Sequence, residues 1–226
     1  MIFYFSATGN CRYVAERAAA ATGERCVAIT ACMQAGELAF TPRDGEMVGI
    51  VSPVYFWGLP SIVNAFLERL ILGRPEYLWF AATYGTTTGQ AGRFVSEHLR
   101  AKGLRLDARF SVRMPDSWTP MFDLSDKAKV QRTNLAAEPQ IDALIAHIRR
   151  RDRGDFMRAK VPLPAVRIYY PHYKQNQHAA VIEDKPLERG EMRIMSCNLR
   201  CANVMDTGKK SWFYRADLIV KNIETE

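Results

Sequence analysis

An α/β fold is predicted by this sequence: a doubly wound parallel sheet of five strands in the order 2-1-3-4-5, followed by an irregular C-terminal extension. Three observations carry that reading. Strand-like and helix-like patterns alternate through residues 1–150, as crossovers between parallel strands require. The apolar opening Met1-Ile2-Phe3 runs into a hydroxyl-rich turn, Tyr4-Phe5-Ser6-Ala7-Thr8-Gly9-Asn10-Cys11, and then into a helix-like stretch. The third and fourth strands each end in a loop of aromatic and glycine residues, at the edge where open parallel sheets bind ligands.

Strands are expected at Met1–Phe5, Arg25–Thr30, Met47–Ser52, Tyr77–Thr83 and Leu106–Arg113. Helices are expected at Asn10–Ala21, Pro60–Leu72, Gly89–Lys102 and Ser125–Arg150, the last with Ile141, Leu144, Ile145 and Ile148 at helical spacing. After Arg151 the texture changes. Pro162, Pro164 and Pro171 break the pattern, and Tyr169-Tyr170-Pro171-His172-Tyr173 has no clear period, so this segment is expected to pack against the main domain rather than fold alone. The chain therefore divides into a domain over 1–150 and a linker and tail over 151–226.

At 226 residues and 48% hydrophobic, the chain can bury a full core. No stretch approaches the roughly 18 apolar residues of a membrane span, and the chain enters a strand at once, so a soluble, cytoplasmic protein with no membrane partner is expected. Five cysteines, an odd number, argue for free thiols rather than a disulfide framework. The net charge of +7 suggests nucleic acid at first sight, yet the excess is spread out, with one concentration at Arg149-Arg150-Arg151-Asp152-Arg153, Arg158 and Lys160. That run reads as a helix end entering a solvated linker, the alternative being a dock for an acidic partner or nucleic acid. His147, His172 and His178 read as surface or packing residues, and no metal ligand set has a recognisable spacing.

The turn after the first strand places Ser6, Thr8 and Asn10, with the backbone N–H groups of Ala7 to Cys11, around one point at a helix N-terminus. Such a turn binds an anion without a positive side chain. It lacks the lysine of a nucleoside-triphosphate loop and the GxGxxG of a dinucleotide fold, and the second strand does not end in an acidic residue. A phosphomonoester is the natural guest. The alternative is an N-cap that merely starts a helix.

Ser52-Pro53-Val54-Tyr55-Phe56-Trp57-Gly58-Leu59-Pro60 sets three aromatics in a row where a core strand has ended. A planar heteroaromatic ligand would give them a purpose, with Tyr55 or Trp57 covering its face. Thr83-Tyr84-Gly85-Thr86-Thr87-Thr88-Gly89 supplies a second ring, two glycines for close backbone approach, and hydroxyls. Together the three loops read as phosphate at one and a flat ring between the other two.

These motifs resemble the flavodoxin-like family. Phe3 to Asn10 is similar to its phosphate loop, and the loops at Ser52–Pro60 and Ala82–Gly85 are similar to its ring-binding loops. The resemblance covers residues 1 to about 150 and implies FMN as cofactor, with its phosphate at Ser6 to Cys11. Its ring would lie between the Tyr55/Trp57 loop (Pro53, Val54, Phe56, Gly58) and the Tyr84 loop (Thr83, Gly85, Thr86, Gly89). Cys11 stands where the family usually has a hydroxyl residue, and the basic pI departs from the acidic shuttles of the family. Met114-Pro115-Asp116-Ser117-Trp118 resembles a subgroup in which a bacterial-type ferredoxin follows. A cubane cluster needs four thiolates; the tail offers only Cys197 and Cys201, so a degenerate, cluster-free ferredoxin tail is expected.

The resemblance implies electron transfer through the flavin to a redox partner protein or a small acceptor, with no catalytic acid or base. One alternative is an NAD(P)H-dependent reductase of quinones or similar acceptors. Another is a cofactor-free interaction protein that keeps the fold. A phosphorylated receiver domain is excluded by residues, since Ser52-Pro53 and Ser6-Ala7 stand where it needs aspartate and further acids.

Overall fold

In the computed structural model, residues 1–117 and 124–177 are described. The chain runs β1 (Ile2–Tyr4), α1 (Asn10–Thr22), β2 (Cys26–Ala28), α2 (Ile29–Ala35), β3 (Ala39–Phe40), β4 (Met47–Pro53), α3 (Ser61–Arg69), β5 (Ile71–Leu72), β6 (Tyr77–Tyr84) and α4 (Ala91–Arg100). It continues with β7 (Ala108–Arg113), α5 (Lys127–Arg150), β8 (Gly154–Asp155) and α6 (Leu163–Gln177). Contacts divide it into Met1–Tyr170 and Pro171–Glu226.

The main sheet has the order β2-β1-β4-β6-β7-β8, and every pairing in it is parallel. The five expected strands stand in their expected order, and β8 adds a sixth at the β7 edge. β4 and β6 lie at the centre, and all eight residues of β6 are buried, as strands covered on both faces should be. Adjacent residues of a strand face opposite sides. Ile2 joins Trp79, Phe110 and the apolar faces of α1 and α5 in one cluster. Phe3 instead packs its ring on Phe66 of α3, with centroids 5.3 Å apart.

Several details depart from the sequence reading. The second strand stops at Ala28, and Ile29 begins α2, a seven-residue helix closed by Gly36 in the left-handed region (φ 71). The helix expected to reach Leu72 ends at Arg69, and Ile71–Leu72 pairs with Ala39–Phe40 in a separate two-stranded sheet. Beyond Arg151, where no element was expected, β8 pairs with β7 and α6 forms. Two prolines are compatible with that helix start, since Pro162 precedes it and Pro164 lies in its first turn, where an N–H has no intrahelical acceptor.

β8 is held by more than its ladder. The ring of Phe156 stacks on Phe110 at 5.2 Å and on His147 at 4.3 Å, while His147 Nδ1 lies 2.7 Å from Asp152 Oδ2. The basic run at the end of α5 is largely ion-paired: Arg150 with Asp152 at 2.8 Å, Arg153 with Asp107 at 3.2 Å, and Arg151 with Glu76. His147 therefore packs as expected. His178, Trp118, Cys197 and Cys201 lie outside the described residues, as does the side chain of His172.

Gly49 in β4 sits opposite Trp79 in β6, and a Cβ there would meet the indole at 2.2 Å. Gly49→Ala should therefore lower stability by about 1–3 kcal/mol through overpacking. An unchanged urea midpoint with an unchanged slope would count against the packing described.

Candidate functional site

The carboxyl ends of β1, β4 and β6 carry the three loops together. Gly9 precedes α1 with φ 95, and the helix start has no side-chain cap and no acidic residue in its first turn. Its first-turn N–H groups are therefore left for water or an anion. Inside the turn, the Ser6 hydroxyl oxygen is buried and has no hydrogen-bond partner among the described residues. A buried hydroxyl without a partner costs free energy unless something else satisfies it, and a phosphate oxygen in this turn would do so.

The rest of the turn is tied down by the segment after β7. Thr8 Oγ1 donates to Ser117 Oγ at 3.3 Å, and Asn10 Nδ2 donates to the Pro115 carbonyl at 3.1 Å. Thr8 and Asn10 also line a cavity of about 400 Å³ to which α5 contributes a cation, Lys127. Cys11 turns inward: its Sγ lies 3.0 Å from Thr83 Oγ1, and burial pushes its thiol up to about 12. What Cys11 can offer an anion is its amide.

The second loop is a two-residue hairpin. Tyr55 and Gly58 exchange two backbone hydrogen bonds of 3.0 Å, and both central residues have positive φ, Phe56 at 48° and Trp57 at 69°. That is the geometry of a type I′ turn, which ordinarily takes Asn-Gly or Gly-Gly. Bulky side chains there store strain of about 1–3 kcal/mol per residue, and such strain persists only where surroundings enforce it. The two rings stack on each other at 5.8 Å, and Phe56 is 49% exposed. Tyr55 meets Phe5 edge-on at 6.3 Å.

Two glycines enforce the hairpin. The Trp57 carbonyl accepts the Gln90 N–H at 2.8 Å, and a Cβ on Gly89, whose φ is 52°, would lie 2.1 Å from that same oxygen. On the other side a Cβ on Gly58 would strike the Tyr170 ring at 2.1 Å. Tyr170 Oη donates to the Leu59 carbonyl at 2.6 Å and accepts from the Leu59 N–H at 3.0 Å and Asn64 Nδ2 at 2.9 Å. Its ring stacks on Phe94 at 4.9 Å.

The third loop is bound to the segment after β8. The Thr88 N–H donates to the Ala159 carbonyl at 2.9 Å and its hydroxyl to the Arg158 carbonyl at 2.7 Å. Gly89 and Lys160 form a parallel bridge. Gly85 leaves room for Asp116, whose carboxylate also accepts from Thr86 Oγ1 at 3.3 Å. Tyr84 is the last residue of β6 and only 9% exposed. Pro53 closes β4, and just beyond it the Val54 N–H donates to the Thr83 carbonyl at 3.0 Å.

Sequence reasoning missed Tyr170, Asn64 and the stretch from Arg158 to Val161. The contacts of Tyr170 and of Arg158 to Val161 with the loops span 70 to 111 residues of chain, which no local pattern records, whereas Asn64 reaches the Leu59 carbonyl five residues back. Ser117 and Pro115 carried a signal only as part of a motif after the fifth strand.

Residues 1–142 match a family model described as a flavodoxin domain. No curated protein sequence matches the chain. Among solved structures it is similar to rubredoxin oxygen:oxidoreductase from Desulfovibrio gigas, at 17% identity and a TM-score of 0.38, over 64% of this chain and 36% of that one. It is also similar to a flavodoxin from the domain Archaea (14% identity, TM-score 0.35, 62% of this chain and 97% of that one). A flavoprotein in complex with FMN from Lactobacillus acidophilus NCFM is a third (16% identity, TM-score 0.33, 52% and 93%). The chain thus spans little more than a third of the Desulfovibrio protein.

Replacing Phe56-Trp57 by Asn-Gly should raise stability by about 1 kcal/mol or more, because the turn is kept and its strain removed. A lowered melting temperature would show that the two rings hold the loop rather than strain it. Cys11 should stay unmodified by iodoacetamide at pH ~8.5 in the folded protein and react after denaturation, as peptide mapping would read. Its raised value also means that stability falls as pH climbs from 9.0 toward 12, since the unfolded thiol ionises first.

Proposed function

The chain belongs to the flavodoxin domain family, and on that premise we propose that it is a cytoplasmic FMN-binding protein that passes electrons through its flavin. The observation that carries this reading is the buried Ser6 hydroxyl, without a partner among the described residues, in a turn at the uncapped start of α1. Phosphate at Ser6 to Cys11 would be held by the Ser6 hydroxyl and the amides of Ala7, Thr8, Gly9, Asn10 and Cys11. Thr8 and Asn10, already bonded to Ser117 and Pro115, fix the shape of the turn.

The ring would be received by the Tyr55–Trp57 hairpin and the loop from Thr83 to Gly89. Tyr55 and Trp57 are half-buried, and either ring could cover one face of a planar ligand. Residues 1–150 would hold the whole cofactor site. FMN, when bound, supplies the electron transfer; the chain's part is to bind it, shield its faces from water and present its edge to a redox partner protein or a small acceptor. No side chain is assigned an acid or base role.

The visible spectrum of the purified protein, as isolated and after incubation with FMN and desalting, tests the reading. A retained flavin band is expected. Ser6→Ala and Trp57→Ala should each weaken FMN binding, the latter by about 1–3 kcal/mol. No retained flavin in either preparation would overturn the proposal, and an unchanged dissociation constant in Trp57→Ala would move the ring wall elsewhere.

A further inference from the structure

A groove of about 680 Å³ lies between α4, β7 and the segment from Asp155 to Lys160, within the ~300–1,000 Å³ range of small-molecule sites. Five cations line it: Arg93, Arg100, Arg105, Arg109 and Lys160. Only two carboxylates, Glu97 and Asp155, face them, which leaves an excess of three positive charges (five minus two). Glu97 is engaged by Arg93 at 2.7 Å. Asp155 is shared by Arg109 at 3.1 Å and Lys160 at 2.8 Å. Among the described residues, Arg100 and Arg105 have no carboxylate partner.

Like charges gathered in one concavity repel each other, and the cost is offset when an anion sits among them. Two free guanidinium groups suit phosphate in particular, because each presents a planar fork of donors to its oxygens. The groove has apolar lining as well: Leu104, Leu106 and Met157, all half-buried. It is also built around a glycine, since a Cβ at Gly92 would meet Met157 Sδ at 2.3 Å and Arg109 Cδ at 3.1 Å. With a side chain there, the Met157 thioether would have to move and the Arg109 stem to give slightly.

We propose that this groove binds a nucleoside diphosphate group, free or as half of a dinucleotide. Its phosphates lie against Arg100 and Arg105, and its base rests on Leu104, Leu106 and Met157. An acidic protein is disfavoured, because a specific protein interface takes about 800 Å² from each partner and this site is a concavity bounded by one helix, one strand end and one short segment. The inference does not depend on flavin binding at the three loops.

Calorimetric titration of the full chain with ADP, AMP and NADPH, in the presence of saturating FMN and without it, tests the site. ADP should bind saturably at one site, AMP about fivefold more weakly, and R100Q/R105Q should weaken ADP about tenfold. Ser6→Ala should leave ADP binding unchanged. Both arginines are exposed, and an unaltered melting curve for the double variant excludes misfolding as the cause. NADPH binding more tightly than ADP, with the same sensitivity to R100Q/R105Q, identifies a dinucleotide; ADP binding as tightly identifies a free nucleotide. The proposal fails if ADP does not bind, if its binding is lost in Ser6→Ala or under FMN but kept in R100Q/R105Q, or if poly-glutamate or an oligonucleotide outcompetes ADP at these arginines.

Discussion

The carbonyl of Trp57 accepts the Gln90 N–H across a gap that only glycine at 89 leaves open. That single approach joins the second loop to the third. The hairpin that carries Phe56 and Trp57 has an unfavourable backbone for both residues, so it needs restraint from outside itself. Gly89 restrains it from the β6 side, and Tyr170 does so from behind Gly58. The same Gly89 bridges to Lys160 and so passes the restraint on to the chain that follows β8.

Much of this was legible in residue types. A run such as Tyr77 to Tyr84, apolar nearly throughout, reads as a central parallel strand, and strand order then dictates which loops converge. The short elements were not legible. β8 is two residues, Gly154 and Asp155, and exists because Phe156 can stack on Phe110 and His147. The boundary at Ile29 was hidden by β-branched residues that read as strand while the chain turns into α2. α6 was hidden by its prolines, whose effect depends on where in a helix they fall.

Within the site, the residue types of the turn point to an anion but do not give the direction of each side chain. Cys11 reads like part of the anion ring, yet its thiol goes to Thr83 in the core. Net charge was similarly ambiguous. The densest basic run, Arg149 to Arg153, is largely neutralised by Asp152, Asp107 and Glu76. Arg100 and Arg105, forty-odd residues earlier, have no carboxylate partner among the described residues and share one groove. Charge excess is thus a property of which carboxylates the fold brings near, and a count along the chain does not locate it.

Tyr170 closes onto Leu59 across 111 residues of intervening chain. During synthesis at about 5–20 residues per second, that stretch takes roughly 5 to 20 s to appear. Throughout that interval the nascent chain carries its aromatic hairpin without the residue that props it from behind, so the prop is the last part of the loop framework to be synthesised.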